Sequence, residues 1–301
     1  MSKLVPLREA IAGLVHDGDC VVIEGFTHLI GFASGHEIIR QRKRDLVLAR
    51  LTPDLIYDQM IAAGCARKLI FSWAGNPGAG SLYAIRRAIE EGVPQPLAIE
   101  EYSHFGMVAR FTAGASNLPF AAVKTFTGSD LPVANSLIRS VVCPYTGQAI
   151  PTVPALRPDV AILHVQRASA DGTAQVWGLL GVQKEAAFAS QRVIVVAEEI
   201  VDESVIRNDP NRTLVPGFIV DAVVCEPWGC HPSYAQGYYD RDNPSYLAWG
   251  EISRDRASLE RWLDEWVFGV SGRAEYVEKM GPSLQKLRAA SRPSGTVDYG
   301  Y

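Results

Sequence analysis

The chain alternates short apolar runs with amphipathic stretches along most of its length. "CVVIEGF" (Cys20–Phe26), "DLVLARL", "KLIFSW", "AAVKTF", "VAILHVQ", "RVIVVAEEI" and "FIVDAVVCE" are β-like, and several are continuously apolar rather than alternating. A continuous run predicts a strand buried on both faces, as in a parallel sheet covered by helices. Between the runs, "PLREAIAGLV", "LIYDQMIAAG" and "SLYAIRRAIEEG" carry helical spacing, and the last two end in glycine, the expected helix stop. The alternation predicts an α/β fold, an open and mostly parallel sheet covered by helices. No internal repeat or low-complexity linker divides the chain. The proline-rich stretch 144–158 reads as an excursion within one domain as readily as a boundary. The expectation is a single domain over 1–285, closed by helices within "WLDEWVFGVSGRAEYVEKMG", and a frayed tail over 286–301.

Composition narrows the function. A net charge of −4 and a pI of about 5.9 argue against a nucleic-acid binder, which needs a concentrated basic face. The one basic run, Arg40 to Arg50, reads as a solvated helix end ahead of a phosphate-binding patch. The N-terminus lacks the pattern of a signal peptide, and no apolar run reaches the roughly 18 residues of a transmembrane helix. Five scattered cysteines, an odd number, suit free thiols in a reducing compartment, so a cytoplasmic protein without membrane contact is expected.

Four stretches carry candidate chemistry. "VDAVVCEPWGCHPS" holds Cys225, Cys230 and His231, but no second Cys/His pair completes a zinc site, and no neighbour supplies a base for a catalytic thiol. A strand end followed by a shaped loop is the leading reading there, and no metal is expected. "EGFTHLIGFASG" and "SWAGNPGAGS" each follow a strand, where open α/β sheets place their ligands. Neither loop matches a dinucleotide or Walker fingerprint. They are better read as pocket walls, with Glu24, Gly25, Phe26, Thr27 and His28 in the first and Trp73, Asn76, Gly78 and Ser81 in the second. "LAIEEYSHFGM" pairs Glu100 and Glu101 beside His104; adjacent strand residues face opposite ways, so only one of the two acids faces a given pocket. Glu198 and Glu199 pose the same question.

Together "GDCVVIEGFTH", "RASADGTAQVWG", the block from Glu198 to Pro244 and "GYYDRDNP" resemble the α, or A-type, subunit of family I CoA transferases, most closely the glutaconate CoA-transferase type. The likeness runs from about Leu4 to about Tyr276, with Leu118–Phe120 and Glu100–Ser103 adding to it. It implies the CoA-transferase α/β fold and a partner, the β subunit, usually in an α2β2 tetramer. A coenzyme A thioester enters as substrate, with no bound cofactor. It further implies that the nucleophilic glutamate lies in a Ser-Glu-Asn-Gly motif of the partner; no such motif occurs here. CoA would pass between an acyl-CoA and a carboxylic acid such as a glutaconate-like diacid. In the resembling chains the Pro227–Pro232 turn is shared and the cysteines are not. His231 is then either a buried hydrogen-bonding residue or a pocket residue.

This sequence departs from the family at Glu24, where a second glycine is usual; the carboxylate either narrows the pocket, accepts a proton or points away. The Trp73–Ser81 loop is also longer. Relatives on the same scaffold hydrolyse a ring or decarboxylate a glutaconyl-type CoA, and in the hydrolases the position matching Glu101 does the work. Transfer ranks first, these second, and a binding protein on the same fold third.

Overall fold

The computed structural model describes residues 2–77 and 79–289, so Gly78 and 290–301, most of the expected tail, lie outside the described residues. The strands are β1 (Cys20–Glu24), β2 (Leu46–Ala49), β3 (Ala66–Phe71), β4 (Ala98–Glu101), β5 (Phe120–Ala122), β6 (Arg139–Val142), β7 (Ala149–Pro154), β8 (Val160–Ala168), β9 (Ala174–Gln175), β10 (Arg192–Ile200), β11 (Thr213–Val215) and β12 (Ala222–Cys225). The helices are α1 (Leu7–Leu14), α2 (Phe32–Arg40), α3 (Leu55–Ala62), α4 (Tyr83–Glu90), α5 (His104–Ala115), α6 (Leu131–Ala134), α7 (Gln183–Ala189), α8 (Glu203–Arg207), α9 (Asn243–Arg254), α10 (Arg256–Leu263), α11 (Arg273–Met280) and α12 (Pro282–Gln285).

Seven strands form a parallel array in the order β12-β10-β8-β1-β2-β3-β4. The continuous apolar runs have the predicted cause: in β1, Val21 and Ile23 pack into the core on one face while Val22 packs into the core on the other. Helices α1 to α4, α9 and α10 cover the first face; α5 and α7 cover the second. The glycine stops expected after α3 and α4 are Gly64 and Gly92, both left-handed at φ 71° and 69°.

One expectation changes. "AAVKTF" does not enter the main sheet; its first residues form β5, part of a small antiparallel sheet of order β5-β7-β6. That sheet takes in 149–154 of the proline-rich stretch, and two of the three residues of β5 are exposed, so short apolar content alone did not mark a buried strand. Beyond α12 the chain turns back, and Arg288 pairs with Tyr239. Among the described residues, no helix is long and apolar enough to cross a membrane.

Candidate active site

The parallel array winds outward from β1 through β2 and β3 to β4, and in the opposite direction from β8 through β10 to β12. Such a reversal opens a crevice beyond the carboxyl ends of the two central strands. Here β1 leaves the ladder at Glu24, opposite Leu163, while β8 runs on to Ala168. The turn that follows β1 therefore begins at the carboxyl end of one of the two central strands.

That turn is strained. Thr27 and Leu29 are left-handed, at φ 59° and 55°, a conformation in which a β-branched threonine is a genuine outlier. The backbone doubles back so closely that a Cβ on Gly25 would lie 2.6 Å from the His28 carbonyl oxygen. A second segment holds it in place. Ser233 Oγ donates to Thr27 O at 3.1 Å, Leu29 N donates to Tyr234 O at 2.9 Å, and the His28 ring stacks on Tyr234 at 5.1 Å. His28 Nε2 donates to Leu179 O at 2.6 Å, and burial lowers its pKa against that bond, which keeps the ring neutral. Among the described residues the amides of Phe26, Thr27 and His28 have no hydrogen-bond partner. Strained backbone with free N–H groups at a switch point is a place where an anionic oxygen can be received.

Behind the turn lies a charged cluster. Glu24 is 1% exposed, its Oε2 has no partner, and burial pushes its pKa up to about 7 against the pull of Arg50. Arg50 is equally buried; Nη2 donates to Gly25 O at 2.7 Å and Nη1 to Asp54 Oδ1 at 3.1 Å. The basic run is therefore not a solvated helix end throughout. Its last member sits just beyond β2 inside the protein, where the sheet is covered on both faces.

The Trp73–Ser81 loop walls a separate hollow of about 440 Å³, lined by Trp73, Gly75, Gly80, Ser81 and Arg86 among others. Trp73 is 51% exposed. Asn76 is turned inward, its Nδ2 donating to Tyr246 O at 2.7 Å, so it ties the loop to α9. Between this loop and the strained turn stands a pair that sequence reasoning did not join. Ser72 Oγ donates to Leu51 O at 2.6 Å and so accepts from His104 Nδ1 at 2.9 Å, which leaves His104 Nε2 as an open acceptor. The His104 ring lies edge-on to Phe26, 6.5 Å between centroids. The two residues are 32 positions apart and meet only because β3 and β4 pair, a contact without a local sequence signal.

The two acids of β4 differ in burial as the strand alternation suggests, but both border one hollow, against the expectation that only one would face a given pocket. Glu100 is buried against Lys68, Arg110 (2.7 Å) and Tyr102 (2.8 Å). Glu101 is exposed, and it borders a hollow of about 290 Å³ with Lys68 and Asn135 that shares no lining residue with the Trp73 hollow.

The Cys225–His231 segment is a support. His231 is fully buried, with Nδ1 against Tyr276 OH at 2.8 Å and Nε2 against Asp242 at 3.0 Å. Both ring nitrogens are engaged inside the protein. The turn it anchors presents Ser233 and Tyr234 to the Thr27 turn. Burial raises the pKa of both thiols, far more for Cys230 in the core than for Cys225 at the strand end, so neither is a ready thiolate.

Residues 6–226 match the family model of coenzyme A transferase. The chain is 51% identical over 281 residues to the A-type subunit of the 3-oxoadipate CoA-transferase of Pseudomonas knackmussii, covering 93% of this chain and 99% of that one. Its fold superposes on the glutaconate coenzyme A-transferase of Acidaminococcus fermentans with a TM-score of 0.92 at 31% identity, covering 97% of this chain and 99% of the other. A decarboxylase, AibA/AibB, follows at 0.73 and 30% identity, covering 88% of this chain and 100% of that one.

Proposed function

The chain belongs to the coenzyme A transferase family as its A-type, or α, member, and from that premise we propose that it works with a β subunit to move CoA between an acyl-CoA and a short dicarboxylic acid. The observation that carries the site is the strained turn Gly25–His28, with its unpaired amides, at the switch point of the sheet. A 3-oxo six-carbon diacid of the 3-oxoadipate kind is the first choice, because the 51% identical relative is named for it. A glutaconate-like diacid, the expectation from sequence, comes second at 31% identity.

In this reading the partner's glutamate attacks the thioester carbonyl; the new C–O bond forms, the C–S bond breaks, and CoA thiolate leaves an acyl anhydride. The thiolate then attacks the glutamyl carbonyl, releasing the first acid and leaving a glutamyl-CoA thioester, and a second acid runs the steps in reverse. Each attack puts negative charge on a carbonyl oxygen. The amides of Phe26 and Thr27, on the accessible part of the turn, are the donors offered to it, in a site where fixed dipoles act strongly. Trp73 and Ser81 read the acyl chain or the pantetheine arm, and Glu24 backs the turn. Asn76 and His231 act as braces. The complex is a cytoplasmic two-plus-two assembly.

Glu101 belongs to a second reading. Its exposed side chain has no partner among the described residues, and a decarboxylase shares 30% identity with this chain. Mass spectrometry of products from the co-expressed complex separates the two. Free diacid exchanged for its CoA ester, only when both substrates are present, supports transfer. Loss of CO2, or free CoA without an acceptor acid, would sink it in favour of the second reading.

A further inference from the structure

We infer that Arg50 is a positioning residue for the transfer step, holding the Gly25–Phe26 peptide so that the Phe26 amide is aimed and polarised as an oxyanion donor. The inference rests on the proposed transfer reading and deepens it. A peptide unit is planar and trans, so its C=O and N–H point in opposite directions. Arg50 Nη2 holds the Gly25 carbonyl from inside the protein at 2.7 Å, and the N–H of Phe26 therefore points away from the interior. A charged donor on the carbonyl also withdraws electron density through the amide, which strengthens the N–H on its far side.

Arg50 is itself fixed from several sides. Nη1 pairs with Asp54 at 3.1 Å, and the guanidinium stands 5.5 Å over the ring of Tyr57. Tyr57 OH in turn accepts from Ile23 N at 3.0 Å and donates to Ala49 O at 3.0 Å, so the support is tied into both β1 and β2. A buried ion pair is a weak source of stability compared with apolar packing, and retaining one directly behind a strained turn calls for another reason. Thr27 O is held in the same manner by Ser233 Oγ, so the alternate carbonyls of the turn are both gripped by side chains while the amides beyond them stay free.

The test uses the complex of this chain with its β subunit, comparing Arg50→Gln, Arg50→Lys and Asp54→Asn with the unaltered protein. For Arg50→Gln we expect kcat to fall about 10- to 100-fold with the acyl-CoA KM nearly unchanged, because the donor remains but is no longer aimed; losing such a donor outright costs roughly 10²–10³-fold. Arg50→Lys should lose about three- to tenfold in kcat, since an ammonium reaches one acceptor but lacks the fork. Asp54→Asn, which leaves Arg50 on Gly25 O but removes one of its anchors, should lose less, about two- to threefold in kcat. Wild-type kcat in Arg50→Gln, a loss confined to KM, or an equal loss in Asp54→Asn would overturn the inference. Should Arg50→Gln fail to assemble, the other two decide: a larger kcat loss in Arg50→Lys than in Asp54→Asn supports it, and equal losses or none refute it. Absence of transfer by the unaltered complex would instead sink the transfer reading itself.

Discussion

Two glutamates lie near the carboxyl ends of parallel strands in this sheet, and their surroundings differ completely. Glu100 on β4 meets Lys68, Arg110 and the Tyr102 hydroxyl. Burial pushes its pKa up, but those partners more than reverse the shift and hold it below the usual carboxylate range. Glu24 on β1 is more deeply buried, keeps one oxygen without a partner, and is pushed up to about 7. The first is a strut under α5. The second is an acid at the switch point that Arg50 and the Gly25 amide offset only in part, and a protein that neutralises one buried carboxylate so fully has left the other under-compensated for a reason other than stability.

The largest effect should come from breaking the strut. Arg110→Met leaves Glu100 buried with only the half-exposed Lys68 as counter-charge, and removing one partner of a buried pair typically costs about 3–5 kcal/mol. Urea unfolding of the variant should register a loss near the lower end of that range. A loss under about 1 kcal/mol would show that Lys68 alone satisfies the carboxylate and would erase much of the contrast.

Next comes the pH dependence of the other acid. Glu24 has its folded pKa raised from 4.5 to about 7, so between those values the folded state binds more protons than the unfolded state. Stability from this group is therefore present at low pH and falls as pH rises from about 5 to about 7, by roughly 3 kcal/mol at about 1.4 kcal/mol per pH unit. Glu24→Gln should remove that slope: measured against the unaltered protein, its relative stability should improve from pH 5 to pH 8. Parallel curves for the two proteins would mean that Glu24 stays ionised and finds compensation on folding.

This contrast also marks how far the sequence could be read. The parallel sheet was legible because burial on both faces leaves continuous apolar runs in β1, β8 and β10, and the helix stops were legible because Gly64 and Gly92 take a left-handed conformation. The family likeness and the departure at Glu24 were visible as well. What the sequence hid was set by pairing across strands. Nothing local shows that Arg50 holds Gly25 O, that Ser72 meets His104, or that Lys68 and Arg110 converge on Glu100. Asn76 and His231, read as possible pocket residues, face inward because α9 and α11 pack against their loops, a fact of tertiary contact alone.

A smaller effect tests the strain on the turn. A left-handed non-glycine residue costs on the order of 1–2 kcal/mol, and glycine removes that penalty while loosening the unfolded chain. Thr27→Gly should thus be stabilising by up to about 1 kcal/mol, and it should lower turnover because the turn gains freedom. A variant both less stable and fully active would show that Thr27 Oγ1 and its contact to Tyr234, 3.2 Å away, matter more than the backbone.

The smallest effect expected is that of a chelator. His164, Glu198 and Cys230 place possible metal-binding atoms within 4.8 Å of one another, all buried. Yet Glu198 Oε1 already bonds His164 Nε2 at 2.8 Å and the Tyr239 hydroxyl, and Oε2 accepts the Trp228 amide at 2.7 Å. A zinc ion would have to displace those bonds and deprotonate a thiol whose pKa burial has raised well above the ordinary value, with only three protein ligands in return. Dialysis against EDTA should accordingly leave the melting midpoint and turnover unchanged, and Cys225→Ala with Cys230→Ala should lose only about 1 kcal/mol, from the buried sulfur of Cys230. A lowered midpoint after chelation, with zinc recovered near one equivalent per chain, would mean that Glu198 exchanges Tyr239 for a metal and that the segment from Cys225 to His231 supports the turn through an ion rather than through hydrogen bonds.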